Sequence, residues 1–140
     1  EGQFLIGTVI VEFMRRNGIR AVGGLELGAV PMVSAAAFAS HVADYPVEAF
    51  FVRKKAKDHG AKQKIDGHLT PGSEVLLIDD VATSGGSILK TYEGLEEAGV
   101  AFTARLALVI VDREEGATEA LAERGIQLVS IFRKHEFQIP

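Results

Sequence analysis

Apolar positions recur along this chain in two rhythms, one suited to helices and one to buried strands. Between residues 4 and 16, Phe4, Ile6, Val9, Ile10, Phe13 and Met14 fall at a helical spacing. Asn17-Gly18 closes that segment, with the glycine free to take a left-handed cap. Residues 19–22 are short and β-branched, a predicted strand, and Gly23-Gly24 follow. Residues 30–42 are rich in alanine and other small residues, which predicts a helix packed closely on a sheet, with Pro31 in its first turn. Residues 47–52 read as a strand. Residues 54–70 carry no period, two glycines and many charges, and predict a long loop of the kind that often serves as a functional lid. Residues 75–78 form a buried strand ending at Asp79-Asp80. A break at 84–86 leads to a helix over 87–98. A strand over 103–111, a helix over 117–124 capped by Gly125, and a strand over 127–132 complete the chain.

Strands separated by helices predict an α/β fold, a parallel twisted sheet of about five strands with crossover helices on both faces. Ligands of such sheets sit outside the carboxyl ends of the strands. Those ends carry residues 23–28, Arg53-Lys54, residues 79–86 and Asp112-Arg113, so the chemically interesting side chains gather on one edge.

The chain has 140 residues, within the range of a single domain over residues 1–140, and 47% of them are hydrophobic, so disorder is excluded as a global description. Its net charge of −4 argues against nucleic acid as a partner but leaves room for an anion held by local bases. Without cysteine there are no disulfides, thiolate metal sites or cysteine nucleophiles. No apolar run is long enough to cross a bilayer. The expected setting is cytoplasmic, with no membrane partner.

The densest chemistry lies in Val75-Leu76-Leu77-Ile78-Asp79-Asp80-Val81-Ala82-Thr83-Ser84-Gly85-Gly86-Ser87. Four apolar residues end in two carboxylates, then a turn of small residues opens a helix. A helix start presents free N–H groups backed by the positive end of the dipole, an anion site suited to phosphate. Gly85 and Gly86 let a ligand approach the backbone, and Thr83, Ser84 and Ser87 add hydroxyl donors. The carboxylates would repel a phosphate; they suit hydroxyls, a cation or a centre that becomes positive. The plainer alternative is a strand end with capping acids and a helix N-cap loop. There is no Walker loop and no dinucleotide-binding Gly-x-Gly-x-x-Gly.

This string resembles the 5-phosphoribosyl-1-pyrophosphate (PRPP) signature of the type I phosphoribosyltransferases. The resemblance implies that Asp79 and Asp80 hold the ribose hydroxyls and that Val81, Ala82, Thr83, Ser84, Gly85, Gly86 and Ser87 complete the PRPP site around the 5′-phosphate.

A second string, Arg53-Lys54-Lys55-Ala56-Lys57-Asp58-His59-Gly60, continues through Lys62 and Lys64. Alone it would be a solvated charged loop, and His59 an ordinary loop histidine. It leaves the sheet at the phosphate edge of an otherwise acidic chain. Cations there would stabilise charge on a departing pyrophosphate, and a lid would exclude water. The spacing resembles the catalytic loop of orotate phosphoribosyltransferases. By that resemblance Arg53, Lys54, Lys57 and His59 contact PRPP or pyrophosphate, with Lys57 and His59 joining Asp79 and Asp80 as catalytic residues. Lys54 would serve its own subunit and Arg53, Lys57 and His59 the neighbour's, which implies a homodimer.

Asp112-Arg113-Glu114-Glu115-Gly116 resembles the family's Asp-Arg-x-Glu-x-Gly segment, whose arginine grips the orotate carboxylate. Arg113 and Thr83 are thereby the orotate candidates; a surface ion pair of Arg113 with Glu114 or Glu115 is the alternative. Residues 23–29 resemble the family's pyrophosphate loop, although several bacterial members carry Tyr-Lys where this chain has Glu26-Leu27. Glu26 either helps hold a metal's water shell or faces solvent.

The resemblance implies Mg²⁺-dependent transfer of 5-phosphoribose from PRPP to orotate, giving orotidine 5′-monophosphate and pyrophosphate, a step of pyrimidine (UMP) biosynthesis. Mg²⁺ would bind through PRPP and water, with no direct protein ligand assigned. The alternatives are another type I phosphoribosyltransferase, for a purine or a different pyrimidine, and a non-catalytic PRPP-binding regulator. The resemblance covers residues 18–132. Full-length members carry an N-terminal segment that caps the base site. The chain opens at Glu1 almost directly in a helical pattern, so that segment is expected to be absent here.

Overall fold

Gly18 takes the left-handed conformation, φ 68°, and stops the first helix, α1 (Gly2–Asn17), just before the sheet begins. In the computed structural model, which describes residues 1–55 and 64–137, the elements alternate. After α1 come β1 (Ala21–Leu25), α2 (Val30–Val42), β2 (Glu48–Val52), β3 (Ile65–Gly67), β4 (Ser73–Ala82), α3 (Gly86–Glu97), β5 (Phe102–Asp112), α4 (Ala117–Ala122) and β6 (Gln127–Arg133), then a 3-10 turn over Lys134–Glu136.

The sheet has six strands in the order β3-β2-β1-β4-β5-β6. All neighbours are parallel except β2 and β3, which pair antiparallel. The sequence reading of about five strands omitted β3. Three residues are too few to show a period, and Phe50, Phe51 and Val52 supply the pairing that makes them a strand. The end of the supposed 54–70 loop is thus sheet. Two further boundaries moved. Gly23 and Gly24 lie inside β1 rather than after it, paired with Phe50 and Phe51 of β2, and they are glycine there because a β-carbon on Gly23 would collide with the Phe50 ring and one on Gly24 with Ala29 and the Ile78 carbonyl. The strand carrying Asp79 and Asp80 also continues past them to Ala82.

Helices cover both faces, as the alternation predicts. Ile10 and Met14 of α1 and Val33 and Ala36 of α2 pack with Val22, Leu76, Ile78 and Leu108. On the other face Ile88 and Leu95 of α3 and Leu121 of α4 pack with Phe50, Leu77 and Val109. Leu76 and Leu77 are adjacent in sequence yet both fully buried, one to each core, which is why parallel strands read as unbroken apolar runs. Successive strands run outward from β1 in one direction and from β4 in the other. Their junction is where a crevice opens beyond the carboxyl ends.

Candidate functional site

At that junction the β1–α2 loop meets the end of β4. A β-carbon on Gly28 would lie 3.5 Å from Asp79 Oδ1 and 4.0 Å from Asp80 Oδ1. Glycine therefore leaves a space that both carboxylates border. Asp79 is only 9% exposed, whereas Asp80 is exposed. Asp79 Oδ1 accepts the Asp80 N–H at 2.9 Å, and Asp80 Oδ1 accepts the Val81 N–H at 2.7 Å. Burial pushes the Asp79 carboxyl up to about 6, with Asp80 adding to the rise and Ser87 opposing it. Such a perturbed acid in a crevice is what a site built for a polar ligand produces.

Residues 83–85 turn the chain from β4 into α3. Gly85 caps the helix in the left-handed conformation, φ 84°, which a side chain would disfavour. Ser84 Oγ accepts the Gly86 N–H at 3.3 Å. The turn encloses a cavity of about 240 Å³ lined by residues 81–88 together with Asp79 and Lys90. All seven residues assigned from the motif to the phosphate loop, Val81 through Ser87, border this one cavity.

The root of the basic segment is held on the other side. Glu26 ties it twice: its N–H donates to the Val52 carbonyl at 3.0 Å, and its carboxylate accepts the Lys54 N–H at 3.0 Å. Glu26 is half-buried, with Oε1 against the Lys54 backbone. Arg53 forms an ion pair with Asp66 of β3. Lys64 pairs with Glu97 of α3. Arg53, Lys54, Lys64 and Lys90 line a second cavity of about 240 Å³ with Leu25, Glu93 and Glu97. Lys57 and His59 lie outside the described residues.

At the β5 edge, the Arg113 N–H donates to the Ala82 carbonyl at 2.9 Å, which ties this loop to the phosphate turn. The Arg113 side chain pairs with Glu115 at 3.0 Å. Asp112 is buried and its Oδ1 accepts the Glu114 N–H at 2.9 Å, shaping the turn. Glu114 also faces the His135 ring at 2.7 Å, and that histidine holds the Glu114 carboxyl below its usual range. Thr83 lies between this loop and the acidic pair in sequence and lines the first cavity.

Sequence reasoning missed one cavity-lining residue and one partner. Glu26 was noticed without its partner. Lys90 was not noticed at all, although it stands three residues after Ser87 and so on the same side of α3.

A cation of the Mg²⁺ type fits the donors present. The space over Gly28 is bordered by carboxylate oxygens, and Mg²⁺ takes oxygen ligands while keeping waters and substrate phosphates. Among the described residues no group of three or more acidic, histidine or cysteine side chains forms a protein cage.

Residues 7–133 match the phosphoribosyl transferase domain family. An orotate phosphoribosyltransferase of Rhodopseudomonas palustris (strain BisB18) is 42% identical over 98% of this chain and 74% of its own length. That of Aquifex aeolicus is 41% identical over 97% of this chain and 73% of its own. Among solved structures, the Mycobacterium tuberculosis orotate phosphoribosyltransferase in complex with PRPP superposes with a TM-score of 0.82 at 30% identity, covering 97% of this chain and 75% of that one.

Proposed function

The chain belongs to the orotate phosphoribosyltransferases, within the phosphoribosyl transferase domain family, and we propose that it transfers 5-phosphoribose from PRPP to N1 of orotate, releasing pyrophosphate. The observation that carries this reading is the junction itself: a buried, perturbed Asp79 beside Asp80 across from Gly28, continuous with a glycine-rich helix start.

The 5′-phosphate takes the cavity of residues 81–88, where N–H groups and the dipole of α3 favour an anion. The ribose hydroxyls lie against Asp79 and Asp80. As the bond from C1 to pyrophosphate lengthens, positive charge grows on the ribose ring, and the acids stabilise it more than they stabilise the uncharged sugar. Orotate is already anionic, so no general base is required. Arg113 would exchange Glu115 for the orotate carboxylate, with Thr83 beside it. Arg53 would likewise exchange Asp66 for a phosphate oxygen. Lys54, Lys57 and His59 complete the charge around the leaving group. Bound through PRPP, water and the oxygens over Gly28, Mg²⁺ would supply charge neutralisation and orientation of the pyrophosphate.

The same reading takes residues 1–140 as one core domain that works as a homodimer in the cytoplasm. No described helix is long and apolar enough to cross a membrane. The test is the Asp79→Asn, Asp80→Asn double variant assayed for orotidine 5′-monophosphate formation. Turnover should fall by about two orders of magnitude or more, as for other lost electrostatic stabilisers, with the fold retained. Undiminished turnover would remove the acids from the mechanism.

A further inference from the structure

We propose that Lys90 is the counter-charge of the phosphate cavity, binding the 5′-phosphate of PRPP from the second turn of α3; the inference rests on the phosphoribosyl reading above.

The argument begins with charge. A phosphate monoester carries about −1.5 to −2 at neutral pH. The cavity of residues 81–88 meets it with the helix N-terminus, worth roughly half a positive charge, and with Asp79, which opposes it. Lys90 is the single cationic side chain among the described residues lining that cavity. Helical side chains lean toward the N-terminus, so an amine at position 90 is directed over Gly86 and Ser87. A lysine ammonium on a flexible stem is well suited to a phosphate as a point charge.

The ion pairs around Lys90 give the second observation. Glu93 stands one turn further along the same helix, and both Glu93 and Glu97 line the adjoining cavity with Lys90. Glu93 is instead paired with Arg124 at 3.4 Å, and Glu97 with Lys64. Arg53, the arginine of the adjoining cavity, is taken by Asp66. The neighbouring acids are thus engaged by other cations, and Lys90 makes no ion pair among the described residues. An exposed, unengaged cation on the rim of an anion cavity is available to the ligand.

The experiment is calorimetric titration of the whole chain, wild type and the variants K90A, K90E and K90R, with ribose 5-phosphate and separately with magnesium pyrophosphate. Position 90 is exposed and both alanine and glutamate suit a helix, so the variants should fold, which circular dichroism checks. Affinity for ribose 5-phosphate should fall about three-fold in K90A and about ten-fold in K90E, with a shallower salt dependence. K90R should stay near wild type, and pyrophosphate affinity should fall clearly less than ribose 5-phosphate affinity, although Lys90 also borders the cavity of Arg53 and Lys54. Unaltered ribose 5-phosphate binding in K90E, or an equal loss for pyrophosphate, overturns the role of Lys90 while leaving the phosphoribosyl reading intact. A folded wild type that binds neither ligand overturns both.

Discussion

The Lys54 N–H donates to Glu26 Oε1 at 3.0 Å across 28 positions of sequence. This bond fixes the start of the basic segment against the β1–α2 loop, whose Gly28 borders the acidic pair. Glu26 is therefore a positioning residue for Lys54. In E26A, PRPP KM should rise by about ten-fold, the worth of one hydrogen bond to a charged acceptor, with a smaller change in melting temperature. E26Q keeps an acceptor oxygen and should recover most of the loss. Equal damage in both variants would mean that the negative charge, not the bond, matters.

Asp79 makes a prediction about pH. Its carboxyl rises from 3.8 to about 6 in the folded chain, chiefly through burial. Below the lower value both folded and unfolded chains are protonated and the group contributes the extra stability of its neutral form. As pH climbs from about 4 to 6 the unfolded chain ionises first, and that stability is lost. D79N should therefore be more stable than wild type above pH 6, by up to about 3 kcal/mol, and no more stable below about pH 4. Denaturant unfolding across this range measures it. A stability difference independent of pH would show that Asp79 does not titrate in this way.

Arg113 is paired with Glu115 at 3.0 Å, with both side chains well exposed. Such a pair contributes about 1 kcal/mol or less and can be exchanged for a ligand. R113A should raise the KM for orotate by about ten-fold or more, the cost of a charged contact, and leave PRPP affinity alone. Steady-state kinetics with each substrate varied in turn separates the two. A shift in PRPP affinity alone would move Arg113 to the sugar side of the site.

Gly28→Ala tests the space between the acids. Its β-carbon would stand at ordinary contact distance, 3.5 Å, from Asp79 Oδ1, so the fold should tolerate it. Stability should change by no more than about 0.5 kcal/mol, while PRPP affinity with magnesium drops several-fold. Unchanged PRPP affinity would show that the ligand does not use that space.

The parts of this site that were legible in the sequence are those in which consecutive residues carry the chemistry. Asp79, Asp80 and the turn to Ser87 lie on one continuous strand, turn and helix, and folding hardly rearranges them. What was hidden depends on partners far away in sequence. Gly23 and Gly24 suggest a turn until Phe50 and Ile78 press against them. Ile65-Asp66-Gly67 is a strand only because β2 lies alongside. Glu26 acquires its role from Lys54, and Lys90 acquires its own from the loss of Glu93 and Glu97 to other cations.

The central claim is that one crevice takes both the phosphate and the hydroxyls of an activated ribose. Its most direct measurement is calorimetric titration of PRPP with magnesium into the folded wild-type chain and into the Asp79→Asn, Asp80→Asn variant. Saturable heat with one PRPP per chain in the wild type, much weakened in the variant, is the predicted result. A folded wild-type chain that gives no heat, or a variant that binds as tightly as wild type, would contradict it.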